Sequence, residues 1–351
     1  QGHRQKGVEG DPWQLGGVLA VAVGGGLLYR QRSREAGDHA DLDEVLEALR
    51  RGEPIQDGAE APTALQRLAA GALRRIVDPT VLLSFDRTGF RVHALGFDPR
   101  DLEVDLSSRR CVVTGANSGI GFETAKGLAD LGADTVLVCR NEARGLEARE
   151  RIAAETGNPR VSLEVADLSR LDEVRALAER LGEVDVLVHN AGVLPETRSE
   201  TPEGLETVFA THVAGPYLLT EELMPALSRS RDGRVVFVSS GGMYTARLQV
   251  DDWNWEKREY YGVKAYAETK RAQVLLAELF AGRLQDAGVV VHAMHPGWAD
   301  TPAVASSLPR FHQLTERILR TPAEGADTVI WLAAAPVSYT HLTLPTITSG
   351  C

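Results

Sequence analysis

The sequence predicts an α/β protein with a doubly wound parallel sheet, and three observations carry that prediction. Near-continuous Val/Leu-rich runs of strand length recur from residue 110 onward, as expected of strands buried on both faces. Helical stretches such as FETAKGLADLG and LDEVRALAERLG lie between them and end in glycine, a common helix stop. A glycine-rich turn joins the first run to the first helix. Alternation of this kind demands right-handed crossovers with helices on both faces, and it puts ligands beyond the carboxyl ends of the strands.

The elements follow in chain order. The 351-residue chain opens on Gln1 rather than Met and reads as a piece of a longer reading frame. Within residues 1–37, WQLGGVLAVAVGGGLLY (13–29) is uncharged, apolar and followed by RQRSR. A spanning helix needs about 20 apolar residues, about 17 at least, so this glycine-laden run sits at the limit. Two readings stand: a membrane segment with everything downstream on the cytoplasmic side, or a disordered lead. Residues 38–104 read as a helical N-terminal extension. Its amphipathic candidates DLDEVLEALRR and TALQRLAAGALRRIV are separated by Gly52, Pro54, Gly58 and Pro62, which mark a loop.

Residues 105–336 hold the alternating pattern. The strand candidates are RCVVT (110–114), TVLVC (135–139), VSLEV (161–165), VDVLVH (184–189), RVVFVS (234–239) and VVVHAM (289–294). Residues 337–351, VSYTHLTLPTITSGC, read as a non-native scar, because Val337–Thr346 match a translated sequencing-library adapter. On that reading the natural chain is cut near Pro336. A last strand and part of the pocket are then lost, and the scar packs loosely on the sheet edge.

Composition bounds the function. Apolar residues at 43% and charged ones at 25% are ordinary for a globular domain. A net charge of −11 argues against nucleic acid as a partner, which needs a basic surface. Cysteines stand only at 111, 139 and 351, which suits a reducing compartment such as the cytoplasm. His292 and His295 form a lone HxxH in an apolar run, read as structural, so no metal site is expected.

The first strand runs into TGANSGIG, Thr114–Gly121. Gly115, Gly119 and Gly121 let the backbone turn tightly and approach a pyrophosphate, and the next helix offers free N–H groups to it. The second strand ends in Cys139-Arg140-Asn141, with Arg144 one turn on. An acidic residue there would repel a ribose 2′-phosphate, whereas a guanidinium pairs with one. NADP(H) is therefore the expected cofactor and NAD(H) the alternative; Arg140 as a mere solvated charge is the plain reading.

The stretch EYYGVKAYAETK (259–270) offers two tyrosine–lysine pairs at i, i+4, Tyr260–Lys264 and Tyr266–Lys270. A phenol ordinarily titrates near about 10, so acid/base work near neutrality needs a rigid stabilising partner. Tyr266–Lys270 leads into a run free of glycine and proline as far as Gly282. Tyr260–Lys264 spans Gly262, which costs a helix about 1 kcal/mol relative to alanine. Tyr266 is the expected acid/base, and Tyr260 and Tyr261 are rim or packing residues.

With TGxxxGxG, HNAG at 189–192, SS at 239–240, YAETK at 266–270 and PGWADT at 296–301 in this order, residues 105–336 resemble the short-chain dehydrogenase/reductase family. The resemblance implies a single Rossmann-type domain, usually with seven parallel strands, and hydride transfer between a nicotinamide and a carbonyl or alcohol. It implies cofactor contacts from Gly115, Asn117, Ser118, Gly119, Ile120 and Gly121, and from Arg140 and Asn141. Asp167 and Leu168 would meet the adenine, and Asn190, Ala191 and Gly192 would hold the loop beside the cofactor. Pro296, Gly297 and Thr301 would meet the nicotinamide carboxamide or the phosphates. Ser240 would hold the substrate oxygen, Tyr266 exchange its proton, and Lys270 lower the tyrosine pKa and bond the nicotinamide ribose. Thr269 fits the small residue that usually precedes the lysine.

His212, in FATHVAGPYLLT, departs from the family, which carries an asparagine there that holds a water in the proton path. Histidine either sustains the relay with a pH dependence near about 6.5 or only packs the helix. VASSLPRFHQLTERIL after Thr301 implies an apolar, mobile substrate cover, and Trp253 and Trp255 either line the same mouth or pack. A homo-oligomer is compatible with the family. The rival function is a catalytically weak NAD(P)-binding regulator. A sugar-nucleotide epimerase would space its glycines GxxGxxG, unlike Gly115, Gly119 and Gly121.

Overall fold

The computed structural model describes residues 18–21, 73, 84–95, 97–301, 312–313 and 315–336, and in it the apolar runs become one sheet. The strands are β1 (Val18–Val21), β2 (Arg110–Thr114), β3 (Asp134–Cys139), β4 (Val161–Val165), β5 (Val186–His189), β6 (Arg234–Val238) and β7 (Val290–Met294). Their order is β1-β7-β6-β5-β2-β3-β4, and every pairing from β7 to β4 is parallel. The chain winds outward from β2 to β4, then crosses to β5 and winds the other way. The crevice for a ligand therefore opens between β2 and β5, where the winding reverses.

The helices are α1 (Arg87–Ala94), α2 (Gly119–Asp130), α3 (Glu142–Thr156), α4 (Leu171–Leu181), α5 (Gly215–Arg229), α6 (Gly262–Leu284) and α7 (Pro322–Ala334). Successive strand residues face opposite sides, so the sheet feeds two cores. Val112, Leu187 and Phe237 pack under Leu177 of α4, Leu223 of α5 and Phe280 of α6. Val113, Val188 and Val236 pack under Leu128 of α2, Ile152 of α3 and Leu332 of α7. The Rossmann-type architecture expected from the sequence is the one observed.

One expectation changes. Where the resemblance implies seven parallel strands, the described residues give six, and β1 completes the edge antiparallel to β7, Val18 opposite Met294 and Val21 opposite Val291. A sheet edge presents unpaired backbone donors and acceptors, and a β-prone VLAV segment can satisfy them. These are the described residues of the run read as a membrane span. The rest of 13–29, the amphipathic candidates of 38–78 apart from Leu73, residues 302–311 and the terminal 337–351 lie outside the described residues. Among the described residues, no helix is long and apolar enough to cross a membrane.

Candidate active site

The glycine turn is built for close approach. Gly115 sits at φ +67° and Gly119 at +58°, backbone that side chains rarely tolerate. A Cβ on Gly121 would lie 2.3 Å from Asn190 Nδ2 and 2.4 Å from Gly115 O, so only glycine lets α2 begin there. Asn190 donates from Nδ2 to Thr114 O at 2.9 Å, while its N–H and that of Ala191 each donate to Thr114 Oγ1 at 3.0 Å. These bonds stitch the end of β5 to the turn after β2. Ser118 precedes α2 without capping it through its side chain, which leaves the first-turn N–H groups facing the crevice.

Arg140 stands exposed after β3, 3.8 Å from the Asp167 carboxylate, and Arg144 is exposed as well. Asp167 also accepts from the N–H and hydroxyl of Ser169. Asn141 caps α3 by accepting from Arg144 N at 2.9 Å. Leu168 turns its side chain into the core, so a cofactor contact from it falls to the backbone. Gly297 adopts φ +73°, and the Pro296 carbonyl accepts from Arg320 at 3.2 Å. A bare glycine cradle, an uncapped helix start and an exposed guanidinium together fit a dinucleotide.

The two serines after β6 divide their work. Ser239 is buried and donates to Lys270 O at 2.7 Å, tying β6 to α6. Ser240 is partly exposed, and its Oγ accepts from Gly242 N at 3.2 Å. That leaves the Ser240 hydroxyl proton for the Tyr266 phenol. Burial raises the Tyr266 pKa above its ordinary value, and the hydrogen bond with Ser240 pulls it back down.

Lys270, one turn along α6, donates from Nζ to Val238 O at 2.7 Å and to Gln273 Oε1 at 3.0 Å. Burial pushes its ammonium down to about 7. Its Nζ lies 5.6 Å from the Tyr266 ring centre. Lys270 is thus a buried lysine tied to a carbonyl and an amide oxygen.

The competing tyrosine has different surroundings. α6 begins at Gly262, so Tyr260 is not on a helix with Lys264. Its hydroxyl donates to Glu206 Oε1 at 3.1 Å, and burial followed by the Glu206 charge holds the phenol well above its usual value. Tyr261 is exposed.

His212 lies fully buried on a π-helical turn, Ala210–Ala214, that precedes α5. Val193 N–H donates to its Nε2 at 2.9 Å, which puts the ring proton on Nδ1, and Nδ1 faces Thr269 Oγ1 at 2.8 Å. Burial, then the charge of Lys270, drives its pKa well below 6.5. His212 is a neutral bridge from the loop after Gly192 to α6, and it meets the Tyr266 ring edge-on, centroids 5.4 Å apart.

Of the tryptophans, Trp255 is buried, at φ 56°, under the Arg258 guanidinium, 3.5 Å from the ring centre. Trp253 is half-exposed and rests on Phe209. Arg258 also makes a two-pronged pair with Glu268 of α6, both bonds 2.7 Å. Sequence reasoning missed this clamp, and it missed Phe85, which packs on Gly241 next to Ser240. The glycine after the serine was the available signal, since a missing Cβ marks a close neighbour.

Fold and glycine cradle together fit a dinucleotide-binding oxidoreductase. The profile of the short chain dehydrogenase family matches residues 109–310, and the chain belongs to that family, whose members work with a nicotinamide cofactor on small molecules. It is 41% identical over 262 residues to dehydrogenase/reductase SDR family member 12 of Bos taurus, covering 73% of this chain and 81% of that one. Retinol dehydrogenase 12 of Homo sapiens is 37% identical over 238 residues, covering 66% and 75%. Among solved structures, a short chain dehydrogenase of Shigella flexneri complexed with NADP aligns with a TM-score of 0.55 and 27% identity, covering 68% and 95%.

Proposed function

We propose that this chain is an NADP(H)-dependent oxidoreductase that interconverts a small apolar carbonyl compound and its alcohol. The observation that supports this reading is the turn of α6 that brings Tyr266 beside Ser240 and Lys270 to the end of β6. The cradle of Gly115, Gly119 and Gly121 with Asn117, Ser118 and Ile120 would hold the pyrophosphate. Arg140 would pair with the 2′-phosphate, Asp167 and Leu168 would meet the adenine, and Gly297 and Thr301 would meet the nicotinamide end. A bound nicotinamide supplies the hydride in reduction and receives it in oxidation.

Ser240 holds the substrate oxygen. In reduction Tyr266 gives its proton to that oxygen; in oxidation the phenolate takes the proton from the alcohol. Lys270, its Nζ within the same pocket, bonds the ribose and replaces the proton. His212 keeps the loop after Gly192 in register with α6. The few cysteines fit a cytoplasmic location.

The test is NADPH oxidation across a panel of aliphatic and aromatic aldehydes and ketones. Tyr266→Phe is expected to lower kcat by at least about a hundredfold, the usual share of a general acid, while Tyr260→Phe leaves it within about twofold. Loss of turnover in Tyr260→Phe alone would sink the assignment.

A further inference from the structure

The segment before the sheet reaches the catalytic serine. Phe85 is buried, at 7% exposure, in an aromatic group with His295 (ring centres 4.6 Å apart), Trp298 (6.1 Å) and Tyr244 (6.3 Å). Its ring lies directly on the residue after Ser240: a Cβ on Gly241 would stand 2.8 Å from Phe85 Cε2. At Gly242 the same test finds nothing closer than 3.5 Å, and its nearest neighbours are Ser240 Oγ and the Tyr266 ring. The two glycines thus differ. Gly242 has room for a side chain, whereas Gly241 is bare because Phe85 occupies its space.

The strap that carries Phe85 is fastened on both sides. Trp298 N–H donates to Phe85 O at 2.7 Å, and Arg87 N–H donates to Ile318 O at 2.9 Å. Buried Arg320 donates to Ser84 O at 2.9 Å, Asp86 O at 3.0 Å and Pro296 O at 3.2 Å. Asp86 caps α1 by accepting from Thr88 N at 2.7 Å. A double-glycine turn has no side chains of its own to fix its dihedrals, yet the aim of the Ser240 hydroxyl depends on that turn through the bond from Gly242 N.

We propose that Phe85 is a positioning residue for Ser240: seated on Gly241, it holds the Gly241–Gly242 turn in the conformation that directs the serine hydroxyl at Tyr266. The strap is then part of the active site rather than a linker ahead of it. The inference rests on the Ser240–Tyr266 pair proposed above, and the experiment separates the two.

The readout is the Tyr266 phenolate titration in the full chain at saturating NADP+. It is followed by the near-ultraviolet tyrosinate absorbance, with Tyr266→Phe subtracted as background. Ser240→Ala is expected to raise the Tyr266 midpoint by about one pH unit, the size of one hydrogen bond to a charged group. Phe85→Ala should raise it by at least about half as much, and Phe85→Leu, which refills most of the space, should stay close to the wild type. Val92→Ala removes a buried strap side chain that packs with Leu73 and Leu95; it should lower Tm and leave the midpoint where it was. A Phe85→Ala midpoint equal to the wild type beside a raised Ser240→Ala midpoint overturns the proposal. An unmoved Ser240→Ala midpoint overturns the serine–tyrosine pair, and the role of Phe85 with it.

Discussion

Single residues decide most of the chemistry, and they do so by what their immediate partners leave free. Ser240 spends its lone pair on Gly242 N–H and keeps its proton for Tyr266, whereas Ser239 spends its proton on Lys270 O. Tyr260 and Tyr266 are both raised by burial, but only Tyr260 faces a carboxylate, which holds it protonated. Arg140 is the opposite case, a guanidinium exposed over two thirds of its side chain with only a distant partner in Asp167. An exposed arginine next to the cradle can be removed without a folding penalty. Arg140→Ser is therefore expected to raise the NADPH Kd by about tenfold, the loss of one charged pair, and to leave the NADH Kd within about twofold. Fluorescence titration of each nucleotide reads both values.

At the level of elements, the site depends on how α6 is held. Glu268 lies between Tyr266 and Lys270 in sequence but faces the other way, buried against Arg258 and through it Asp252 and Trp255. Cutting that clamp leaves a partly buried cation with Asp252 as its remaining charged partner. Glu268→Gln is expected to cost about 2 kcal/mol of stability, seen as a lower urea midpoint with an unchanged slope. The central strands were legible in the sequence because burial on both faces leaves a near-continuous apolar run: RCVVT is β2 as observed, and RVVFVS overran β6 by one residue. Tyr266 was separable from Tyr260 because helix continuity is a local property. The partners of His212, Arg258 and Phe85 were not legible, since they are a backbone N–H, a helix face and a bare glycine on other elements. β1 was hidden for a similar reason: glycine-flanked VLAV takes its conformation from the edge it meets.

The molecule as a whole buries several groups that would rather be charged. His189 is pushed down to about 3 by burial, and His212 goes well below 6.5. Their folded pKa values are depressed, so the unfolded chain binds more protons below about 6.5 and stability falls as pH drops through that point. Each contributes at most about 1.4 kcal/mol per pH unit. Asp327, raised to about 6 by burial, works in the opposite sense between its ordinary pKa and 6, and Asp86 and Glu278, also raised by burial, do so more weakly. Lys270 adds a gain as pH climbs from about 7 toward its ordinary value. Tm should accordingly rise from pH 5 to pH 8. In His212→Asn the slope below 6.5 should be shallower by up to one proton's worth, whatever the variant does to stability at neutrality; equal slopes would show that His212 titrates normally.

Arg320 carries a consequence for how the chain reaches this state. Its guanidinium gathers carbonyls from Ser84 and Asp86, 236 and 234 positions earlier, and from Pro296 in the loop after β7. Closing a loop of that span costs entropy before any bond repays it, and such distant contacts come late in folding. The sheet can form from neighbouring β–α units, but the aromatic seat over Gly241 has to wait until both far ends of the domain are synthesised and brought together. With Phe85 in the role proposed for it, a refolding chain is expected to protect the cradle amides from hydrogen exchange before those of the Gly241–Gly242 turn, and the reverse order would contradict this.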